Sequence, residues 1–142
     1  MYYLAYGMNT NFREMDRRCP FAKSLGSVIL ENHKLAFKNF CDAVEEPGAS
    51  MECALWDITD NCELALDILE GYPLFYDKKQ VQVNFKGKTI TAMIYFMQPD
   101  NLLAGPSESY LSMVYEGYKN HNMNPEQIFK ALEEAEHAYH TW

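Results

Sequence analysis

The chain has 142 residues, with 12 Lys+Arg against 20 Asp+Glu for a formal charge of −8, and is 48% hydrophobic and 14% aromatic. That length suits one domain over residues 1–142, and the apolar content is enough to close a core, which excludes a disordered chain. The acidic balance repels nucleic-acid phosphates and anionic lipid, no basic cluster exceeds Arg17-Arg18 or Lys78-Lys79, and no apolar run reaches the ~20 residues of a membrane span. No nucleic-acid or membrane partner is therefore expected, and the location expected is cytoplasmic.

The chain opens on a short aromatic run, residues 1–6, which stops at Gly7 and reads as a buried strand delivered into a turn. A short helical turn fits residues 9–18. Residues 25–30 and 34–40 read as two strands joined by a hairpin at Glu31-Asn32-His33, and residues 50–58 alternate as another strand that carries Trp56 into the core. The period changes at Asp60. Asp60 with Glu63 forms a capping-box pattern, Cys62, Ala65, Leu66 and Leu69 share one helical face, and Gly71 and Pro73 end a helix over about 60–70. Residues 80–85 and 89–97 flank Lys86-Gly87-Lys88 as a hairpin, and residues 99–106 form a loop. Ser107 caps a helix carrying Tyr110, Leu111, Val114 and Tyr118, and Asn124-Pro125 starts a last helix with Ile128, Ala131, Leu132 and Ala135 inward. Strands joined by hairpins and separated by helices predict a mainly antiparallel or mixed sheet with helices packed around it. The four cysteines, Cys19, Cys41, Cys53 and Cys62, make no closely spaced pair, which removes the usual zinc and thiol-redox patterns and reads as four reduced, buried, small hydrophobes.

Two places can carry chemistry. In Tyr6-Gly7-Met8-Asn9-Thr10, a glycine after a strand lets a ligand approach the peptide amides, and Asn9 and Thr10 add polar side chains; such a loop suits a carboxylate or an oxyanion. In Leu66-Asp67-Ile68-Leu69-Glu70-Gly71-Tyr72-Pro73, Glu70 falls in the last turn of a helix, where the macrodipole is negative and a carboxylate is misplaced. Partial burial there would raise its pKa toward the working range of a general base. The spacing of Asp60, Glu63, Asp67 and Glu70 also fits a solvated acidic face, and both readings stay open on spacing alone.

Together these features resemble a known family. The order of Tyr3-Leu4-Ala5-Tyr6-Gly7-Met8-Asn9-Thr10, Leu55-Trp56-Asp57-Ile58, the segment ending in Glu70-Gly71-Tyr72-Pro73 with Tyr76, Ala92-Met93-Ile94-Tyr95-Phe96, and Pro106-Ser107 leading to Tyr110 is similar to the gamma-glutamylcyclotransferase-like family over about residues 2–118. The resemblance implies an α+β fold, a compact, mixed, mainly antiparallel β-barrel with surrounding helices. It implies formation of 5-oxoproline from a small-molecule gamma-glutamyl substrate, with no metal or cofactor. It also implies a substrate loop at Tyr6, Gly7, Met8 and Asn9, with Thr10 beside them, and a catalytic general acid/base at Glu70. Tyr76 and Tyr110 join as substrate-binding candidates with hydroxyls in an aromatic pocket. The family's loop carries serine where this chain has Met8; contacts from that hydroxyl are gone, while contacts from backbone amides survive any side chain. A non-catalytic pocket that captures a small ligand on the same loop is the alternative reading.

Overall fold

The computed structural model describes residues 1–140. Among these residues, five strands form one sheet in the order β2-β3-β1-β5-β4. Strand β1 (Tyr2–Ala5) lies at its centre, antiparallel to β3 (Phe40–Asp57) and parallel to β5 (Lys88–Met97). The edges are β2 (Lys23–Lys38), paired with β3, and β4 (Tyr76–Phe85), paired with β5. Helices α1 (Phe12–Arg18), α2 (Asp60–Glu70), α3 (Glu108–Asn120) and α4 (Glu126–His140) surround it. A strand covered on both faces needs an unbroken apolar run, and Tyr3, Leu4 and Ala5 of β1 are all buried. Among the described residues, no helix is long and apolar enough to cross a membrane.

The α+β class and the mainly antiparallel sheet are as expected; the closed barrel is not. The sheet keeps two edges. Its outer half curls over β4 and β5, but side chains rather than a ladder make the junction: Met97 N–H donates to Asp42 Oδ1 at 2.8 Å, and Lys79 Nζ donates to Glu45 Oε1 at 2.9 Å. At Cys41 the open edge of β3 is occupied by tyrosines, because the Tyr76 hydroxyl donates to the Cys41 carbonyl at 2.6 Å and Cys41 N–H donates to the Tyr110 hydroxyl at 3.0 Å. A further strand has no free backbone to pair with there.

The Glu31-Asn32-His33 hairpin is also corrected. Residues 23–38 are a single strand, and where the register shifts between Glu31 and His33, Asn32, in the left-handed region at φ 60°, faces a bulge of β3 over residues 46–49. Gly48 of this bulge donates its N–H to Asn32 Oδ1 at 3.0 Å. The chain turns instead at Asn39, at φ 68°. Both asparagines supply the same left-handed backbone, but only at Asn39 does the pairing reverse; a bulge keeps the strand running.

The cysteine reading holds for two of four. Cys41 and Cys53 are buried thiols, whereas Cys19 and Cys62 form a disulfide across 43 positions. That separation carries no spacing signal; it is the packing of the end of α1 against the start of α2 that places the two Cα atoms 5.1 Å apart. Helix α2 has the expected bounds, although its N-cap is Thr59, whose side chain accepts from Cys62 N–H, one residue before the expected Asp60.

Candidate active site

Strand β1 delivers its last residues into a turn that only glycine permits. A Cβ on Gly7 would stand 2.9 Å from both Cys41 Cβ and the Tyr110 hydroxyl. The following residues, Met8–Thr10, form one 3-10 turn, closed by Thr10 N–H donating to the Gly7 carbonyl at 3.1 Å and by Thr10 Oγ1 donating to the same oxygen at 2.7 Å. Buried Trp56 reaches out of β3 to donate its indole N–H to the Asn9 carbonyl at 3.0 Å. Asn11 then caps α1 by accepting from Arg13 N–H and Glu14 N–H, so the loop and a helix ending in Arg18 form one braced unit.

Opposite this unit stands the end of α2. Its acidic stripe divides by direction. Glu63 and Asp67 pair with Lys78 of β4 at 2.8 and 2.9 Å, and Asp67 Oδ1 also accepts from the Tyr95 hydroxyl at 2.6 Å. Glu70 points elsewhere, and its Oε1 accepts from Asn9 Nδ2 at 3.2 Å. The same Asn9 nitrogen donates to the Tyr3 hydroxyl at 3.0 Å, while Asn9 Oδ1 accepts from Arg18 Nη1 at 2.6 Å. Arg18 Nη2 lies 3.5 Å from Met8 Sδ and 3.3 Å from Glu14 Oε2. Burial pushes the Glu70 carboxyl up to about 7, against the opposing pull of the Arg18 charge and the Asn9 hydrogen bond. Burial and the neighbouring Glu70 charge raise the Tyr3 phenol as well, so it keeps its proton.

These groups share a cavity of about 240 Å³ with two unlike walls. Tyr3, Met8, Asn9, Arg18 and Glu70 form a hydrogen-bonded wall. Phe40, Phe75, Tyr76 and Tyr110 form an aromatic one, in which Phe40 packs edge-on to Phe75 and Tyr110, and Phe75 to Tyr76. Cys41 also lines the cavity, and burial pushes its thiol up to about 12, which keeps it a poor nucleophile.

Of the residues expected from the sequence, Tyr6, Gly7, Met8, Asn9, Glu70, Tyr76 and Tyr110 all border the cavity. Thr10 is not among its lining residues; fully buried, it packs against Gly117 of α3 and braces the loop from behind. The hydroxyls of Tyr6 and Tyr76 donate to the carbonyls of Tyr95 and Cys41, so both tyrosines serve the wall as scaffold. Sequence reasoning missed Arg18, Tyr3, Tyr95, Phe40, Phe75 and Leu69. For Tyr3 a signal existed, since a phenol on a fully buried strand must find a polar partner. For Arg18 none did, because a basic residue in the last turn of a helix already has an ordinary electrostatic reason to be there.

Comparison with known proteins gives the following likenesses. Residues 3–118 match the sequence model of the family described as gamma-glutamyl cyclotransferase, AIG2-like. A solved structure named gamma-glutamyl cyclotransferase is 24% identical with a TM-score of 0.81, over 92% of this chain and 85% of its own. A crystal structure of an uncharacterized human protein is 26% identical with a TM-score of 0.81, over the same 92% and 85%. YkqA from Bacillus subtilis is 20% identical with a TM-score of 0.79, over 96% of this chain and 54% of YkqA. Among curated proteins none matches.

Proposed function

The chain belongs to the gamma-glutamyl cyclotransferase, AIG2-like family, and on that premise we propose that it converts a gamma-glutamyl amide to 5-oxoproline and a free amine, with Glu70 as the general acid/base. One observation carries this reading: a carboxyl group whose pKa lies at about 7 faces the Gly7–Asn9 loop across one cavity. A base of that pKa is half ionised near neutrality and accepts and returns protons with little penalty either way.

A gamma-glutamyl compound carries nucleophile and electrophile in one molecule, so the protein has only to fold it and move protons. Holding the folded conformer draws on the effective molarities of ~10⁵ M or more seen for well-oriented intramolecular attack. Glu70 takes one proton from the substrate ammonium, and the freed lone pair closes the ring on the gamma-carbon. The carboxylic acid passes that proton to the leaving nitrogen as the bond to the gamma-carbon breaks. The ring nitrogen's second proton leaves with the departing amine, which exits as an ammonium ion.

Binding falls to the loop and to Arg18. The N–H groups of Gly7, Met8 and Asn9 bond to no protein acceptor among the described residues, whereas that of Thr10 is spent on the Gly7 carbonyl. The three free amides suit the oxygen that becomes anionic. Among the described residues, Arg18 is the single cationic side chain lining the cavity, and its guanidinium offers the substrate carboxylate a counter-charge. Because these contacts come from backbone and from Arg18, Met8 in the serine position is compatible with turnover.

The test is release of 5-oxoproline from gamma-glutamyl donors, with Glu70→Gln as the comparison. We expect the variant to lose ~10²–10⁴-fold in kcat. Full activity would remove Glu70 from the chemistry. Donors that raise the melting temperature with no 5-oxoproline formed would instead favour the ligand-binding alternative.

A further inference from the structure

Resting on the cyclotransferase reading, we infer that the preferred donors carry an uncharged, apolar or aromatic amine, and that Phe40, Phe75 and Leu69 select it. Among the described residues, the cavity holds two charged side chains, Arg18 and Glu70, and both stand in the hydrogen-bonded wall beside Asn9. The gamma-glutamyl head, with its ammonium and carboxylate, uses both. The amine portion lies on the other side of the scissile bond and must meet the remaining surface.

That surface is apolar and opens outward. Asn9 and Tyr3 are 5% and 3% exposed, whereas Phe40, Phe75 and Leu69 are 45%, 39% and 45% exposed while lining the same cavity. The most exposed lining residues are therefore aromatic and aliphatic, whereas Arg18 and Glu70 are half-buried and Asn9 and Tyr3 are buried. Leu69 precedes Glu70 in the last turn of α2, and Phe75 follows it past Gly71, so two of the three rim residues flank the proposed acid/base in sequence. Phe40 and Phe75 meet edge-on with ring centroids 6.2 Å apart, which leaves ring faces for a third apolar group to pack on.

Charge works in the same direction. A donor ending in a free carboxylate next to the scissile amide, as in a gamma-glutamyl amino acid, would strip water from that carboxylate against this rim, with no second cation among the described residues lining the cavity. The formal charge of −8 adds long-range repulsion. A donor ending in an ammonium beside a carboxylate, as in an N-epsilon isopeptide of lysine, would find, among the described residues, Glu70 as the only carboxylate lining the cavity, and Glu70 is engaged with the reacting nitrogens.

The experiment compares kcat/KM for four donors on the whole chain: gamma-glutamylmethylamide, gamma-glutamylbenzylamide, gamma-glutamylglycine and N-epsilon-(gamma-glutamyl)lysine. We expect the benzylamide to exceed both the glycine and the lysine donors at least tenfold. In Phe75→Ala the ratio of benzylamide to methylamide should fall toward one. Phe40→Arg, at a half-exposed position that tolerates a long polar side chain, should raise the ratio of gamma-glutamylglycine to methylamide. A methylamide that is cleaved, with a benzylamide no better than the two charged donors, overturns this inference and leaves the cyclotransferase reading standing. Absence of 5-oxoproline from all four donors overturns both.

Discussion

At the scale of single residues, the chemistry rests on where burial outweighs pairing. Glu70 is bonded by Asn9 and pulled by the Arg18 charge, yet desolvation wins and carries its pKa from 4.5 to about 7. As a required base, it should make kcat/KM rise with pH and level off above about 7, which a pH–rate profile with the methylamide donor would measure. The linkage has a definite sign. A carboxyl whose folded pKa exceeds its unfolded one costs nothing below the unfolded value, and stability is lost as pH climbs from 4.5 through about 7. Glu70→Gln removes that loss. The variant should match the parent at pH 4 and exceed it at pH 8 by on the order of 3 kcal/mol in urea unfolding. A variant that matches the parent at both pH values would show that the carboxyl is solvated. Arg18→Gln supplies an independent check, because it removes the charge that holds the Glu70 pKa down. Its pH–rate limb should move to higher pH while KM rises about tenfold or more; a weaker substrate affinity with an unmoved limb would place Arg18 away from Glu70.

At the scale of elements, the site depends on two close approaches that glycine makes possible. Gly7→Ala would push its Cβ to 2.9 Å from Cys41 Cβ and the Tyr110 hydroxyl, shifting the loop that faces Glu70. We expect about a 10²-fold loss of kcat/KM with a stability cost of about 1–3 kcal/mol. Gly117→Ala is harsher, since its Cβ would collide with Thr10 Oγ1 and lie 2.6 Å from the Asn11 backbone nitrogen. Helix α3 would have to withdraw from the loop, at a cost of about 3 kcal/mol in denaturant unfolding. Local signals made several elements legible in the sequence. A glycine stop after Glu70, a serine before Tyr110 and the Lys86-Gly87 turn each act within a few residues, and α2, α3 and the β4–β5 hairpin follow them. Asn32 misled because its left-handed backbone serves a turn and a bulge equally well, and only pairing with residues 45–51 decides between them. Glu70 was legible as a misplaced helix-end acid; its partners Arg18 and Tyr3 were not, since their directions are set by strand pairing and by the packing of α1.

At the scale of the whole molecule, the helix that ends in Arg18 and the helix that ends in Glu70 are joined covalently through Cys19 and Cys62. Closing a loop with a sequence separation of 43 removes unfolded-state entropy worth about 4 kcal/mol in the chain-entropy treatment. Urea unfolding of Cys62→Ser, or of the reduced protein, should fall short of the oxidised parent by up to about that amount, and equal midpoints would mean that the bond contributes nothing in solution. The barrel expectation failed at this same scale. Closure depends on whether the two sheet edges meet, and here tyrosine hydroxyls at Cys41 take the place of a ladder, leaving the gap that becomes the aromatic wall. The central strand has a consequence for biosynthesis. Tyr2 and Leu4 lie beside Asp57 and Leu55 on one flank and beside Ala92 and Ile94 on the other. On the ribosome, β1 emerges before both of its partners and must therefore wait, aromatic and half-covered, until β5 has been translated. Stalling between the two partners would hold the nascent chain in its stickiest form, the stage at which a chaperone would have most to protect.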